Sequence, residues 1–231
     1  MAGLTKIINK QLQARIQPVS EKVDLENIPM FAINWLDLNS KSLYNLYGFL
    51  AFPLARSIGA KAIFKGYQTE LLKDSAKVNR AVLLIVKYPS PQAFLSLLGR
   101  KFFQVISLLR IKAVRNFNLG FAQLIQGKSG DKEDHYLVYH FQGGTLEAQL
   151  PTLQGLAQEQ QCQLYFVAQK SATLTIINRG QERAVPLPME GLVIFTQSDR
   201  QSLQRLADHP KMEELLSGNQ SSYLSYFKRV I

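Results

Sequence analysis

The side chains best suited to catalysis are few and lie apart in this sequence. Histidine occurs three times, at positions 135, 140 and 209. His135 and His140 are five residues apart on one predicted strand, so their side chains point to opposite faces and cannot share a metal ion directly. His209 precedes Pro210 near the end of a predicted helix, and no HExxH motif or Cys/His cluster occurs. The sequence therefore predicts no metal site and no cofactor.

Nucleophiles and paired acids are equally sparse. Cys162 is the single cysteine, and no base or helix N-terminus close to it in sequence would activate its thiol. A buried and inert cysteine is therefore favoured. No Gly-x-Ser-x-Gly motif occurs, and Asp37 is the one acid in the first strand region. We assign no catalytic residue.

Five residues are candidates for binding a ligand. Aromatic side chains on predicted inner strands, together with one arginine and one histidine, can line a pocket for an apolar molecule with an acidic group. These candidates are Trp35, Tyr67, Tyr88, Arg115 and His140. The alternative is that the aromatic rings fill the core, that Arg115 contacts a carbonyl at a helix end, and that His140 is structural. The alternative is favoured, because such residues serve packing more often than binding.

Charge is shared unevenly along the 231 residues. Residues 1–128 contain 18 Lys/Arg and 6 Asp/Glu, a net charge of +12, whereas residues 129–231 contain 9 and 11, a net charge of −2. Such asymmetry can mark an anionic partner or a solvated basic face, and the absence of a compact Lys/Arg run favours the solvated face. The lone cysteine and the lack of a visible signal peptide predict a cytoplasmic protein.

The chain reads as one pattern written twice. Residues 30–125 and 134–231 each give strand, helix, strand, strand, helix, strand at closely matching spacing. We expect an α+β fold in which two tandem ferredoxin-like βαββαβ units form a pseudo-dimeric α+β barrel. The predicted boundaries are an N-terminal helical extension (1–28), a first unit (29–127), a linker (128–133) and a second unit (134–231).

Several helices are predicted from caps and periodicity. The spacing of apolar residues in 4–16 predicts an amphipathic helix that Pro18 ends. A second helix begins after Ser40 or Ser42, ends near residue 58 and is kinked or broken at Pro53. Ser90 caps a helix that we expect to continue to about residue 114, and Ser198 or Asp199 caps one that continues to about residue 216.

The stretch 81–95 is an apolar strand that ends in Tyr-Pro-Ser before a helix that begins near Ala-Phe-Leu. Through this stretch above all, residues 31–125 of the first unit resemble a bacterial family of unknown function in the dimeric α+β barrel superfamily. The helix that runs into Gly59-Ala60 also agrees, and so does Arg115 followed by Leu119. Val114 stands where the family usually has histidine, and Asn118 where it has glycine.

What the resemblance implies is a fold and a cavity, since superfamily members include cofactor-free monooxygenases, isomerases and haem-handling enzymes. We expect a protein that binds a small apolar or acidic molecule, or a protein partner, without catalysis. One alternative is a cofactor-independent oxygenase or isomerase working in the barrel cavity. A second is binding of an anionic membrane or nucleic acid through the basic first unit; the membrane is secondary, and the lack of a docking motif disfavours nucleic acid. Assembly of the chain into a homo-oligomer is a further alternative.

Overall fold

The computed structural model describes residues 14–18, 28–75, 80–127, 133, 135–176, 184–186 and 189–230. Strands within these ranges are β1 (Ala14–Pro18), β2 (Met30–Leu38), β3 (Lys61–Asp74), β4 (Val82–Tyr88), β5 (Val114–Gln126), β6 (His135–Gln142), β7 (Gln163–Ile176), β8 (Ala184–Pro186), β9 (Gly191–Gln197) and β10 (Ser221–Arg229). Helices are α1 (Lys41–Arg56), α2 (Pro91–Gly99), α3 (Lys101–Ala113), α4 (Leu146–Glu159), α5 (Arg200–Ala207) and α6 (Pro210–Gly218). None of these helices is long and apolar enough to cross a membrane.

Eight of the described strands close into an antiparallel barrel. The first half of the chain contributes them in the order β3-β4-β2-β5, and the second half in the order β7-β9-β6-β10. Pairing of β10 with β3 joins the halves at one edge, and pairing of β5 with β7 joins them at the other. Because both edges are paired, each half covers the open sheet edges of the other. The prediction of an α+β barrel is confirmed.

Aromatic side chains fill the inside of the barrel. Trp35 is fully buried there, with its ring centroid 4.9 Å from Tyr223 and 5.5 Å from Phe227 in edge-on contacts. Phe64 contacts Tyr136 in the same way at 5.2 Å. Edge-to-face contacts add to the energy of burial, so the interior is a packed core.

Helices cover the outer face of the barrel in two separate layers. The first helical layer consists of α1, α2 and α3, and the second helical layer consists of α4, α5 and α6. The second layer is tightly filled by large side chains that are at most 1% exposed: Leu146, Leu153, Leu156, Leu203, Leu206 and Met212. The first layer buries fewer large side chains against its strands than the second layer does, and it leaves a pocket between helices and sheet.

Four local predictions need correction. The predicted N-terminal helix is wrong at its end, because Ala14–Pro18 is a strand paired with residues 172–176 of β7; residues 1–13 lie outside the described part of the chain. Helix α1 runs through Pro53 to Arg56 without a break. The helix expected to continue to residue 114 ends at Gly99, because Arg100 is extended at φ −72° and ψ 123°. The last predicted helix is likewise divided at His209, which is extended before Pro210.

A candidate ligand pocket under the first helical layer

A pocket of about 520 Å³ lies between the first helical layer and the outer face of strands β2 to β5. Its volume falls in the range of known small-molecule sites. Most of its lining is apolar, from the strands Leu36, Ala62, Leu84, Val86 and Phe117, and from the helices Gly48, Phe49, Ala51, Phe52, Ala55, Phe94, Leu97, Leu98 and Phe103. We call this space the first-layer pocket.

Small residues explain why this layer is hollow. Helix α1 faces the strands with Gly48, Ala51 and Ala55, and the chain opposite it carries Ala60, just before β3, and Ala62 within β3. A Cβ atom added at Gly48 would meet nothing within 4 Å. The helix at the corresponding place in the second half, α4, presents leucines instead, which reach the sheet and fill the space. The pocket is therefore built into the sequence of α1 by side-chain size.

Three tyrosines supply hydroxyl groups to the pocket. Tyr44 and Tyr47 come from α1, one turn apart, and Tyr88 comes from the end of β4. Burial raises the pKa of all three phenols, so each carries its proton at neutral pH. No hydrogen bond from these hydroxyls to another described residue is present, and the three O–H groups can therefore donate to a ligand.

Two cations also line the pocket. The guanidinium of Arg110, on α3, lies 5.8 Å from the Tyr47 ring and 5.1 Å from the Phe117 ring. Lys65, on β3, places its Nζ 5.4 Å from the Tyr44 ring. Burial lowers the pKa of Lys65, and the nearby charge of Lys41 lowers it further. Among the described lining residues there is no aspartate, glutamate or histidine, so the polar part of the pocket is suited to an anion or an oxygen-rich group.

Asn34 completes the polar lining from the centre of the sheet. Its Nδ2 donates to the carbonyl oxygens of Ala32 and Leu84, each at 3.0 Å. Both amide hydrogens are thus used within the sheet, and the carbonyl oxygen is the acceptor that Asn34 can offer a ligand.

Only one of the five predicted ligand-binding residues lines this pocket. Tyr88 does, whereas Trp35 and His140 lie inside the barrel, on the opposite face of the sheet. Tyr67 packs under the Nζ of Lys41 at 4.8 Å, outside the lining, and Arg115 is exposed on β5. Trp35 and His140 are thus brought together inside the barrel, whereas Tyr67, Tyr88 and Arg115 lie apart from them.

The pocket residues that sequence reasoning missed lie mainly on helices. Tyr44 and Tyr47 share a face of α1, and Arg110 projects from α3 toward them. The available signal was the pairing of aromatic and small residues on one face of α1, at Tyr44, Tyr47, Gly48 and Ala51.

His140 is sealed in the barrel. Its ring lies 5.5 Å from Trp35 and 4.9 Å from Tyr223, and neither ring nitrogen has a hydrogen-bond partner among the described residues. Burial lowers its pKa to about 3. A neutral histidine without access to solvent cannot exchange protons with a substrate in the pocket, which lies across the sheet.

The remaining reactive groups do not form a second site in the described part of the chain. Burial raises the pKa of Cys162 to about 11, which keeps the thiol protonated. Nowhere among residues 28–75, 80–127, 135–176 and 189–230 do three His, Cys, Asp or Glu side chains gather as metal ligands.

Solved structures share this fold. A proposed monooxygenase from Fusobacterium nucleatum matches with a TM-score of 0.50 and 8% identity, over 88% of this chain and 93% of its own. A heme-binding protein from Thermus thermophilus matches with a TM-score of 0.49 and 8% identity, over 95% of this chain and 94% of its own. A mutant chlorite dismutase from Candidatus Nitrospira defluvii matches with a TM-score of 0.46 and 8% identity, over 90% of this chain and 94% of its own. At 8% identity, the similarity to the Fusobacterium nucleatum structure is one of fold alone. No family model and no curated protein matches the sequence.

Proposed function

We propose that the protein binds a small, largely apolar molecule with an anionic or oxygen-rich end in the first-layer pocket. The observation that carries this proposal is the difference between the two helical layers: large side chains fill the second, whereas the first encloses about 520 Å³ with polar groups directed into it. In this proposal two tandem ferredoxin-like units, residues 29–127 and 134–231, follow an N-terminal extension (1–28) and are joined by the linker 128–133. The first unit binds the ligand and the second supports it.

Charge defines the ligand further. Arg110 and Lys65 bring positive charge to a wall that lacks a described acidic residue, and the phenols of Tyr44, Tyr47 and Tyr88 are neutral donors. A carboxylate, sulfonate or phenolate end matches these groups, while the alanines and phenylalanines match a hydrocarbon or aromatic body. A cationic ligand would meet repulsion from both basic residues.

An enzyme that works in the same pocket is the second candidate. A cofactor-independent oxygenase or isomerase begins by removing a proton from its substrate, and Lys65 is the candidate base because burial and the charge of Lys41 lower its pKa. An anionic product of that step would be stabilised by Arg110. Binding without reaction is favoured, because no carboxylate or imidazole lies among the described lining residues to assist proton transfer.

The test is to identify what the pocket holds and what removes it. Organic extraction of the purified protein, followed by mass spectrometry, is expected to release an apolar acid, and displacement of anilinonaphthalene sulfonate fluorescence measures its affinity. Arg110→Gln is expected to weaken binding about tenfold, whereas Lys112→Gln, an exposed cation on the same helix, leaves it unchanged. Equal affinities for the two variants would contradict the assignment of this pocket.

A further inference from the structure

Exposed apolar side chains are concentrated on the first helical layer. Phe49 is 77% exposed, Phe52 53% and Phe102 55%, and the same layer exposes Leu46 and Val105. Among the side chains that the structure describes, the other large apolar ones that are exposed lie on strands or near the C-terminal end: Leu71, Leu124, Ile125 and Val230. Solvent-facing phenylalanines clustered on one side of a protein mark an interaction surface.

The charge of this layer has a single sign. Helices α1, α2 and α3, with residue 100 between the last two, carry Lys41, Arg56, Arg100, Lys101, Arg110 and Lys112 and contain no aspartate or glutamate. Arg100 Nη1 donates to Ser57 Oγ at 2.7 Å, which holds the end of α1 against the start of α3. Arg56 and Lys101 thereby lie on the same side of the protein as the exposed rings.

The pocket opens on this same surface. Phe49 and Phe52 line the first-layer pocket and are also exposed, so they stand at its mouth. Any partner that covers these two rings therefore also covers the route into the pocket.

We propose that the first helical layer is a docking surface for an anionic phospholipid membrane, with Phe49, Phe52 and Phe102 inserted among the headgroups. Aromatic rings and aliphatic side chains partition into the membrane interface, while lysines and arginines around them pair with lipid phosphates. Charge complementarity selects this partner, since the layer exposes four cations, Lys41, Arg56, Lys101 and Lys112, and its helices contain no acid. The ligand of the pocket then enters from the bilayer, a consequence that rests on the proposed function.

Vesicle sedimentation with the full chain tests the docking. We expect binding to vesicles of phosphatidylcholine with phosphatidylglycerol, and not to phosphatidylcholine alone, that weakens as salt rises from about 0.05 M to about 0.5 M. The triple variant Phe49→Ser, Phe52→Ser and Phe102→Ser is expected to lose at least about tenfold in binding. The exposed Ile125→Ser, outside the layer, is the control and keeps full binding.

Charge variants separate the contribution of the cations to membrane binding from that of the exposed phenylalanines. Arg56→Gln with Lys101→Gln is expected to weaken binding about 25-fold, near fivefold for each charge, whereas Lys211→Gln on α6 has no effect. The Gly48→Leu variant, which blocks the pocket, is expected to dock normally, so that failure of docking and failure of ligand binding are told apart.

Three outcomes would overturn the docking proposal. The first is no binding to anionic vesicles at low salt, and the second is binding that the triple serine variant retains. The third is binding of single-stranded DNA, or self-association in sedimentation velocity, that the triple serine variant loses while vesicles are not bound at all.

Discussion

Substitutions at Gly48 and Gly155 form a matched pair that separates an effect on the pocket from an effect on helix stability. Both are glycines inside helices, α1 and α4, and a Cβ atom added at either meets nothing within 4 Å. Gly48 lines the first-layer pocket, whereas Gly155 is exposed on the opposite layer. Leucine at each position therefore makes the same change in helix propensity and differs only in the space that its side chain enters.

The expected effect on stability is favourable at both sites. Glycine inside a helix is about 0.8–1.0 kcal/mol less favourable than alanine, and leucine is close to alanine. Each kcal/mol raises Tm by about 2–4 °C for a domain of this size. Gly155→Leu is thus expected to raise Tm by a few degrees, and Gly48→Leu by at least as much because its side chain also buries apolar area against the pocket wall.

Ligand affinity is expected to separate the two variants. The four carbons of the leucine side chain in Gly48→Leu displace about four ligand carbons, which is about 3 kcal/mol at 0.8 kcal/mol per buried CH₂ and more than about 100-fold in affinity. Calorimetry and displacement of anilinonaphthalene sulfonate measure the two quantities. Full binding by Gly48→Leu, or a lower Tm, would refute the view that open space beside α1 is the site.

Three further outcomes follow from the buried polar groups and the pocket. Arg110→Gln is expected to reduce affinity for an anionic probe more than for its uncharged analogue; an equal loss for both would contradict a charge contact. His140 has a pKa of about 3 in the folded protein and about 6.5 in the unfolded chain. The free energy of unfolding therefore falls by about 1.4 kcal/mol for each pH unit between about pH 6.5 and about pH 3. His140→Phe is expected to remove this contribution, so that its urea midpoint changes less than that of the wild type from about pH 6.5 to about pH 4.5. A parallel decline in both proteins would contradict this. Cys162 should resist iodoacetamide at pH 8 until the protein is unfolded; rapid labelling of the native protein would show an accessible thiolate.

Strand positions could be predicted because their signal is local. Strands β6 and β9 are the first and third strands of the pattern predicted for residues 134–231, since apolar runs between turn residues set both of their ends. Caps worked as well: the hydroxyl of Ser40 accepts from the Leu43 N–H, and that of Ser90 from the Ala93 N–H. The helix breaks after Gly99 and before Pro210 were not predicted, because the apolar periodicity continues past both residues.

The site could not be predicted because β2 is apolar on both faces. Trp35 and its neighbours point into the barrel, while Asn34 and Leu36 point to the pocket, and all of them lie in an apolar stretch typical of a covered strand. Alternation assigns residues to two faces but does not say which face is empty. The choice of Trp35 and His140 followed the aromatic residues, and these face a filled core.

Side-chain volume decides where this protein has room for a ligand. The barrel interior and the second helical layer are filled, so the hollow under α1 forgoes packing contacts that filled regions make. β10 pairs with β3 over residues 66–74, and β5 pairs with β7 over residues 121–126, so the half that holds the pocket is attached to the filled half at both sheet edges. A half that is supported in this way can retain alanine and glycine where leucine would be more stable. If Gly48→Leu raises the free energy of unfolding while it abolishes binding, the open space lowers stability and is needed for binding. A region that destabilises the fold and binds nothing has no physical reason to stay open.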